Sequence, residues 1–323
     1  MKNLYLILTV LLITIGCKKD ENSIFIPKNY LQKFQTEKKQ ILDLDTISFK
    51  EIIGKNGTKF YYNREDFNIS KGDEITLELI ELYDFKEILY RNINTVTTKN
   101  ELLETNGVLY ISFKSKGKEI KLKENKKLLI YPPKGKLNNN DIFITKNDSM
   151  NNIKWDITDQ NYIKIVENRG GGVSVETIIH KDSLPTYENR KKEIAKLVSE
   201  SDKIKEFFIV TNDDFGWINI DRIVNVDFKM NFNLINNENQ FSGFNIYYSY
   251  KNLKSFISDA RLKDDLNFDS IPISGKTWMT IIGEKNNILF YDKIELKKEL
   301  NNSEIILKMK KTDEKELQKL LIN

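Results

Sequence analysis

The sequence predicts a mainly β chain: two antiparallel β-sandwich-like domains joined by a helix, with a short C-terminal helix. Three features carry that prediction. Apolar and polar residues alternate in short runs through most of the chain, which is the pattern of strands with one buried face. Glycine-containing turn signals separate the runs. Helical periodicity does not recur between successive runs, which argues against a parallel α/β sheet and the nucleotide sites such sheets hold.

At the N-terminus, Lys2 precedes an uncharged run from Leu4 to Ile15 that contains neither Gly nor Pro. A membrane-spanning helix needs about 20 apolar residues, and this run stops short of that at Gly16-Cys17, followed by Lys18-Lys19-Asp20-Glu21. Residues 1–16 therefore read as a cleaved leader. From Asn22 the chain is polar. Pro27 and the stretch YLQKFQTEKKQIL suggest no more than a short helix in a tether over 17–44.

The first β domain is expected over 45–169. Its strands are marked by Ile47 and Phe49, by Ile75, Leu77 and Leu79, by Leu109, Ile111 and Phe113, by Ile120 and Leu122, and by Ile153, Trp155 and Ile157. Turns are expected at Asn56-Gly57, Lys71-Gly72, Asn106-Gly107 and Lys116-Gly117-Lys118, the last as a tight hairpin. Phe85, Ile88 and Leu89 share a helical face, so a helix is placed at Asp84 to Arg91, and Pro132-Pro133 ends a strand. A hinge and linker helix follow over 170–202. Gly170-Gly171-Gly172 supplies the hinge, Thr186 the cap, and Ile194, Leu197 and Val198 the apolar stripe. The second β-rich domain is expected over 203–323, with strands at Val224 to Phe228, Phe244 to Tyr248, Trp278 to Ile282 and Ile305 to Met309. A last helix follows Thr312, with Leu317, Leu320 and Leu321 on one side.

Composition limits the chemistry. The net charge of +4 arises from 51 basic against 47 acidic residues, so the chain lacks the surplus a nucleic-acid binder needs. Cys17 is the single cysteine, which excludes intramolecular disulfides and zinc–thiolate sites. His180 is the single histidine. A hydrolase triad would have to use it, yet no serine sits in a Gly-x-Ser-x-Gly elbow and Ser183 is too close in sequence to be a presumed partner. Asp213-Asp214 and Asp264-Asp265 offer oxygen ligands without EF-hand spacing and read as loop carboxylates. A glycosidase pair cannot be picked from so many carboxylates. The glycine triplet lacks the Lys-Ser/Thr of a phosphate loop and the spacing of a dinucleotide site. No catalytic residue, cofactor or metal is therefore assigned, and the chain reads as non-enzymatic.

Thr14-Ile15-Gly16-Cys17 resembles the lipobox of bacterial lipoproteins, although leucine is usual where Thr14 stands. The resemblance implies lipidation of Cys17, palmitate among the acyl groups, and a membrane anchor in a bacterial envelope. Each buried methylene contributes about 0.8 kcal/mol, so several acyl chains hold firmly where one holds marginally. Lys19, Asp20 and Glu21 resemble the export signal of lipoproteins that reach the surface of diderm bacteria. This implies the cell outer membrane, with the surface favoured over the periplasmic face. Stretches such as Glu81 to Asp84, Leu102 to Gly107, Lys118 to Leu122 and Phe215 to Arg222 are similar to segments of uncharacterised diderm surface lipoproteins. The first domain also resembles a ZU5-type β-sandwich.

Trp217, beside Gly216 and among Asn219, Asp221 and Arg222, is the candidate contact residue for a ligand or partner. Its large face binds at low entropic cost; the alternative is that it plugs the second sandwich while Asp221 and Arg222 pair locally. The expected role is that of a non-enzymatic binding or structural module for another envelope protein. The alternative is a glycan-binding or glycan-cleaving accessory lipoprotein that uses exposed aromatics such as Trp217 or Tyr247.

Overall fold

The structure, a computed structural model, describes residues 25–44, 49–124, 126–133, 136, 140–147, 153–157, 163–167, 173–177, 208–210, 215–237 and 241–322. Cys17, Lys19, Asp20 and Glu21, the glycine triplet, His180, Asp213-Asp214 and the expected linker helix lie outside them.

The chain begins with β1 (Gln40–Asp43), β2 (Phe49–Ile53), β3 (Lys59–Asn63), β4 (Thr76–Leu82), helix α1 (Phe85–Tyr90), β5 (Leu103–Ser115), β6 (Lys118–Glu119), β7 (Leu128–Tyr131), β8 (Asp141–Asn147) and β9 (Ile153–Ile157). A hairpin of β10 (Ile163–Glu167) and β11 (Val173–Thr177) follows, then β12 (Phe208–Val210) and β13 (Gly216–Ile223). The remainder comprises β14 (Phe228–Ile235), β15 (Gly243–Tyr250), β16 (Phe256–Leu262), β17 (Asn267–Ile273), β18 (Thr277–Lys285), β19 (Ile288–Leu296), β20 (Ser303–Ile306), β21 (Lys310–Thr312) and helix α2 (Glu314–Ile322).

The fold is mainly β, with antiparallel sheets and a short C-terminal helix. One sheet runs β1-β4-β5-β13-β8-β9 and faces a second, β12-β7-β3-β2, across a core that includes Leu77, Leu79, Ile111, Phe113, Phe60 and Phe208. A third sheet, β16-β15-β18-β19-β21, faces β17-β14-β20 across Phe244, Tyr248, Met230, Phe232, Phe268 and Met279. Within that last sheet β14 and β20 run parallel.

The division of strands differs from the sequence expectation. β12 pairs with β7, and β13 inserts between β5 and β8, so both complete the first sandwich although they follow residue 203. The second unit thus starts with β14. Local alternation identifies a strand but carries no information on its pairing partner, and this is where the boundary at 203 goes astray.

The two sandwiches share an apolar layer. Along β4, Leu77 and Leu79 enter the first core while Ile80 and Leu82 point the other way, as the two-residue period requires. They meet Ile88, Leu89, Phe143 and Trp155 from the first unit, and Tyr247 and Ile282 from the outer face of the second. Helix α1 forms as expected, with Asp84 capping the Lys86 amide at 3.0 Å and Arg91 at its end. Helix α2 inserts Leu317 and Leu321 into the same layer, and the Asp313 carboxylate accepts the Glu316 amide at 2.9 Å.

The segment expected as a tether is built into this layer from Lys28 onward. Leu31 is completely buried and Tyr30 nearly so. Lys28 ion-pairs with Glu284 at 2.8 Å, and Asn29 donates to the Tyr90 carbonyl at 2.8 Å. The buried Glu87 carboxylate accepts from the Thr36 hydroxyl at 2.5 Å and from the amides of Thr36 and Glu37 at 3.1 Å. Lys33 ion-pairs with Glu314, which ties the segment to α2. β1 then pairs with β4, so this part of the chain is strand rather than tether.

Glycines sit in two kinds of place. Gly57, Gly72 and Gly117 adopt positive φ in turns, as expected, whereas Asn106-Gly107 makes no turn and lies inside β5. There a side chain on Gly107 would come within 2.4 Å of the Tyr83 ring, so the residue serves packing instead. Gly54 is similar. A Cβ at Gly54 would stand 2.4 Å from the buried Glu81 carboxylate, which accepts the Thr58 and Asn56 amides and the Gln40 side-chain amide at 2.8 to 2.9 Å. Gly54→Ala is expected to destabilise the protein by about 1–3 kcal/mol, read as a lower urea midpoint at unchanged slope. An unchanged midpoint would contradict the packing of Glu81 against this turn.

Candidate functional site

Trp217 lies on β13 opposite Tyr110 of β5, with ring centroids 5.2 Å apart and planes tilted by 58°. It is half-buried and leans on the shared layer. It therefore packs within the first unit instead of plugging the second, and its ring is already engaged by Tyr110. Tyr247 is buried in the shared layer, which removes it from any surface role. Asp221 and Arg222 do not pair with each other, because successive side chains on a strand point to opposite faces. Arg222 instead meets Glu104 across the strand pair, with its Nε 2.7 Å from the carboxylate. Of Asp264-Asp265, Asp265 pairs with Arg261 at 3.3 Å. Among the described residues, no group of three or more His, Cys, Asp or Glu is placed to hold a metal.

Asp221 is the most unusual titratable group. It sits fully buried at a bulge between Ile220 and Asp221, where β13 pairs with both β5 and β8. Asn219 donates to one carboxyl oxygen at 2.5 Å, and the other has no hydrogen-bond partner. Burial pushes the Asp221 carboxyl up to about 8, against the opposing influence of Thr105, Asn219 and the Asn106 backbone. The group is thus held neutral in the fold at acidic pH and acts as a polar pin between strands.

Several concavities border the shared layer among the described residues. One, about 950 Å³, lies between the Pro27 to Lys33 segment and the start of α2, and is spanned by the Lys28–Glu284 ion pair. A second, about 400 Å³, lies beside Thr98, Asp156 and Trp155. Its tryptophan is fully buried, with its Nε1–H donating to the Asn94 carbonyl at 2.5 Å, and offers no stacking face.

A third differs in chemistry. Lys251, Lys276, Trp278, Lys293, Glu316, Lys319 and Leu320 enclose about 470 Å³ at the corner between α2 and the outer face of the third sheet. Register places these residues together. Trp278 pairs with Ser249 and with Glu295, Lys276 precedes it by two residues on the same face, and Lys293 is diagonal to it on β19. This is the sheet face that Ile282 and Tyr291 bury farther along, left uncovered where α2 ends its contact.

The ammonium groups of Lys276 and Lys293 lie 4.9 and 5.3 Å from the Trp278 ring centroid, within cation–π range. Lys293 also donates to the Leu320 carbonyl at 2.7 Å, and burial pushes its ammonium below the usual lysine range. Lys276 pairs with Glu295 at 3.4 Å. Among the described residues, no carboxylate lies within ion-pair distance of Lys251 or Lys319. The acid in the lining, Glu316, accepts the Thr312 hydroxyl at 2.9 Å.

Sequence reasoning passed over this cluster. The Lys276-Thr277-Trp278 spacing is visible in the chain, but Lys251, Lys293 and Lys319 join it only through strand register and the seat of α2. Comparison with protein-family models, with curated protein sequences and with solved structures gives no match to this chain.

Asp221 yields a pH prediction. Its folded-state value lies above its unfolded one, so between about pH 4 and pH 8 the folded state holds a proton that the unfolded state has lost. Stability from this group is full below that window and declines as pH rises through it. Asp221→Asn, which preserves the neutral shape, should flatten the decline and raise the melting temperature at pH 8 by several degrees, checked by thermal melts from pH 4 to 9. A parallel pair of pH profiles would contradict the neutral carboxyl.

Proposed function

We propose that this chain is an envelope lipoprotein, anchored through Cys17, that acts as a non-enzymatic binding module for another envelope protein. The carrying observation is the position of the single cysteine relative to the folded body. It stands at the end of the apolar run and eight residues before Phe25, whose ring packs where Gly243 leaves room. Eight residues reach at most about 29 Å, so an anchor at Cys17 would keep the body within that distance of the bilayer. Lys19, Asp20 and Glu21 fall inside this leash and support outer-membrane placement with surface exposure. A body joined to its anchor through Lys28, Tyr30 and Leu31 suits docking close to a membrane.

The glycan reading has its own support. With Tyr247 buried and Trp217 packed on Tyr110, that support moves to Trp278 and its lysines.

Replacing Cys17 by Ser should abolish palmitate incorporation and leave the protein with an uncleaved leader or free of the membrane fraction. Equal labelling of both forms after metabolic incorporation of palmitate would refute the anchor.

A further inference from the structure

We infer that the corner formed by Lys251, Lys276, Trp278, Lys293 and Lys319 binds a carbohydrate carrying carboxylate or phosphate groups. The inference rests on the glycan reading above and adds the charge of the ligand and the place where it sits.

Charge is the first argument. Four lysines and one glutamate line the corner, in a chain whose basic and acidic residues otherwise nearly balance at 51 to 47. Glu295, just outside it, shares its carboxylate between Lys276 and Lys297, at 3.4 and 3.8 Å. Glu316 is committed to the cap of α2, where its amide and its carboxylate are both hydrogen-bonded. Among the described residues, Lys251 and Lys319 have no carboxylate within ion-pair distance, and positive charge exceeds negative in the recess four to one. An anionic ligand gains most where such charges are already gathered on one side of the surface.

Preorganisation is the second. The Trp278 ring holds two ammonium groups near its centroid, and the Leu320 carbonyl fixes one of them from the helix side. Lysine side chains ordinarily lose much rotamer freedom on binding, and that loss is smaller where the free protein already restrains them. The half-buried indole also supplies an apolar wall to the recess.

Size limits the ligand class. A recess of about 470 Å³ admits one or two sugar rings. A single-stranded nucleic acid would call for a track of successive aromatic platforms, whereas this corner holds one. Phe25 packs at Gly243, at one end of β15, whereas Trp278 pairs with Ser249, six residues along the strand and about 20 Å away. A leash of about 29 Å spans that separation, so lipid headgroups are the competing anionic ligand and the vesicle arm of the test decides between them.

The test uses the full chain purified in detergent, titrated by calorimetry with oligogalacturonate, phosphomannan and maltotetraose, and separately with phosphatidylglycerol vesicles. Saturable binding of at least one anionic glycan is expected, with maltotetraose at least about tenfold weaker and affinity falling as salt rises. Lys251→Glu combined with Lys319→Glu should weaken binding at least about tenfold, because both side chains are exposed and their replacement leaves the fold intact. Trp278→Ala should weaken it as well, and Lys229→Glu, on the exposed face of β14, should not. Equal binding of maltotetraose would overturn the charge assignment while leaving the glycan reading in place. Binding that ignores the lysine pair would overturn the location. Binding of the vesicles without any glycan, or of nothing at all, would overturn both the inference and the glycan reading.

Discussion

One apolar layer carries the architecture: the face of the first sandwich that bears Ile80, Leu82 and Val108, covered by the outer face of the second with Tyr247 and Ile282. Fully burying side chains of this kind contributes about 1.5–3 kcal/mol each, so the strands that supply them are expensive to expose. β4 and β15 therefore bury residues on both faces, and neither sandwich can be detached without opening a second core. Hydrogen bonds seal the same boundary. The Thr95 amide donates to the Phe256 carbonyl at 3.0 Å, the Phe256 amide to the Thr95 hydroxyl at 2.8 Å, and the Thr105 amide to the Lys254 carbonyl at 2.9 Å. The two ends of the described chain, Lys28 to Phe34 and α2, close this layer from opposite directions in sequence and meet through Lys33 and Glu314.

The layer also accounts for where chemistry can lie. Covered, its residues are core: Tyr247, Trp155 and most of Trp217 belong to packing. Uncovered, at the corner beyond α2, the same sheet face presents Trp278 and Lys293 to solvent. The candidate site is the place where a continuous interface runs out. Phe25 packs at the other end of β15, so the N-terminal end of the described chain and the open corner are separated by the length of a strand.

Local features of the fold were legible in the sequence. The alternation of Leu77 with Leu79 and of Phe244, Ile246 and Tyr248 marks strands whose cores are as expected. The shared face of Phe85, Ile88 and Leu89 and the Leu317, Leu321 spacing locate the two α-helices among the described residues. Long-range pairing was not legible. Nothing near Gly216 to Ile223 signals that this strand lies between β5 and β8, because two-residue alternation is the same in any sheet. Asn106-Gly107 reads as a turn by composition, and only the Tyr83 ring packed on it explains why it is a strand. The lysines around Trp278 come from β15, β18, β19 and α2, and a linear reading scatters them among the many surface lysines of the chain. Trp217 drew notice through its polar neighbours, but Asn219 and Asp221 are bonded to each other in the interior and Arg222 faces the other way, toward Glu104.

The dependence of both sandwiches on one layer is tested most directly by equilibrium unfolding of the full chain in urea. Fluorescence is followed in two variants, one retaining Trp217 and the other Trp278, with the remaining tryptophans replaced by Phe. A shared layer predicts coincident transitions for the two reporters, and Leu317→Ala shifting both together by about 2–5 kcal/mol. Separate transitions, with Leu317→Ala moving the Trp278 signal alone, would contradict it.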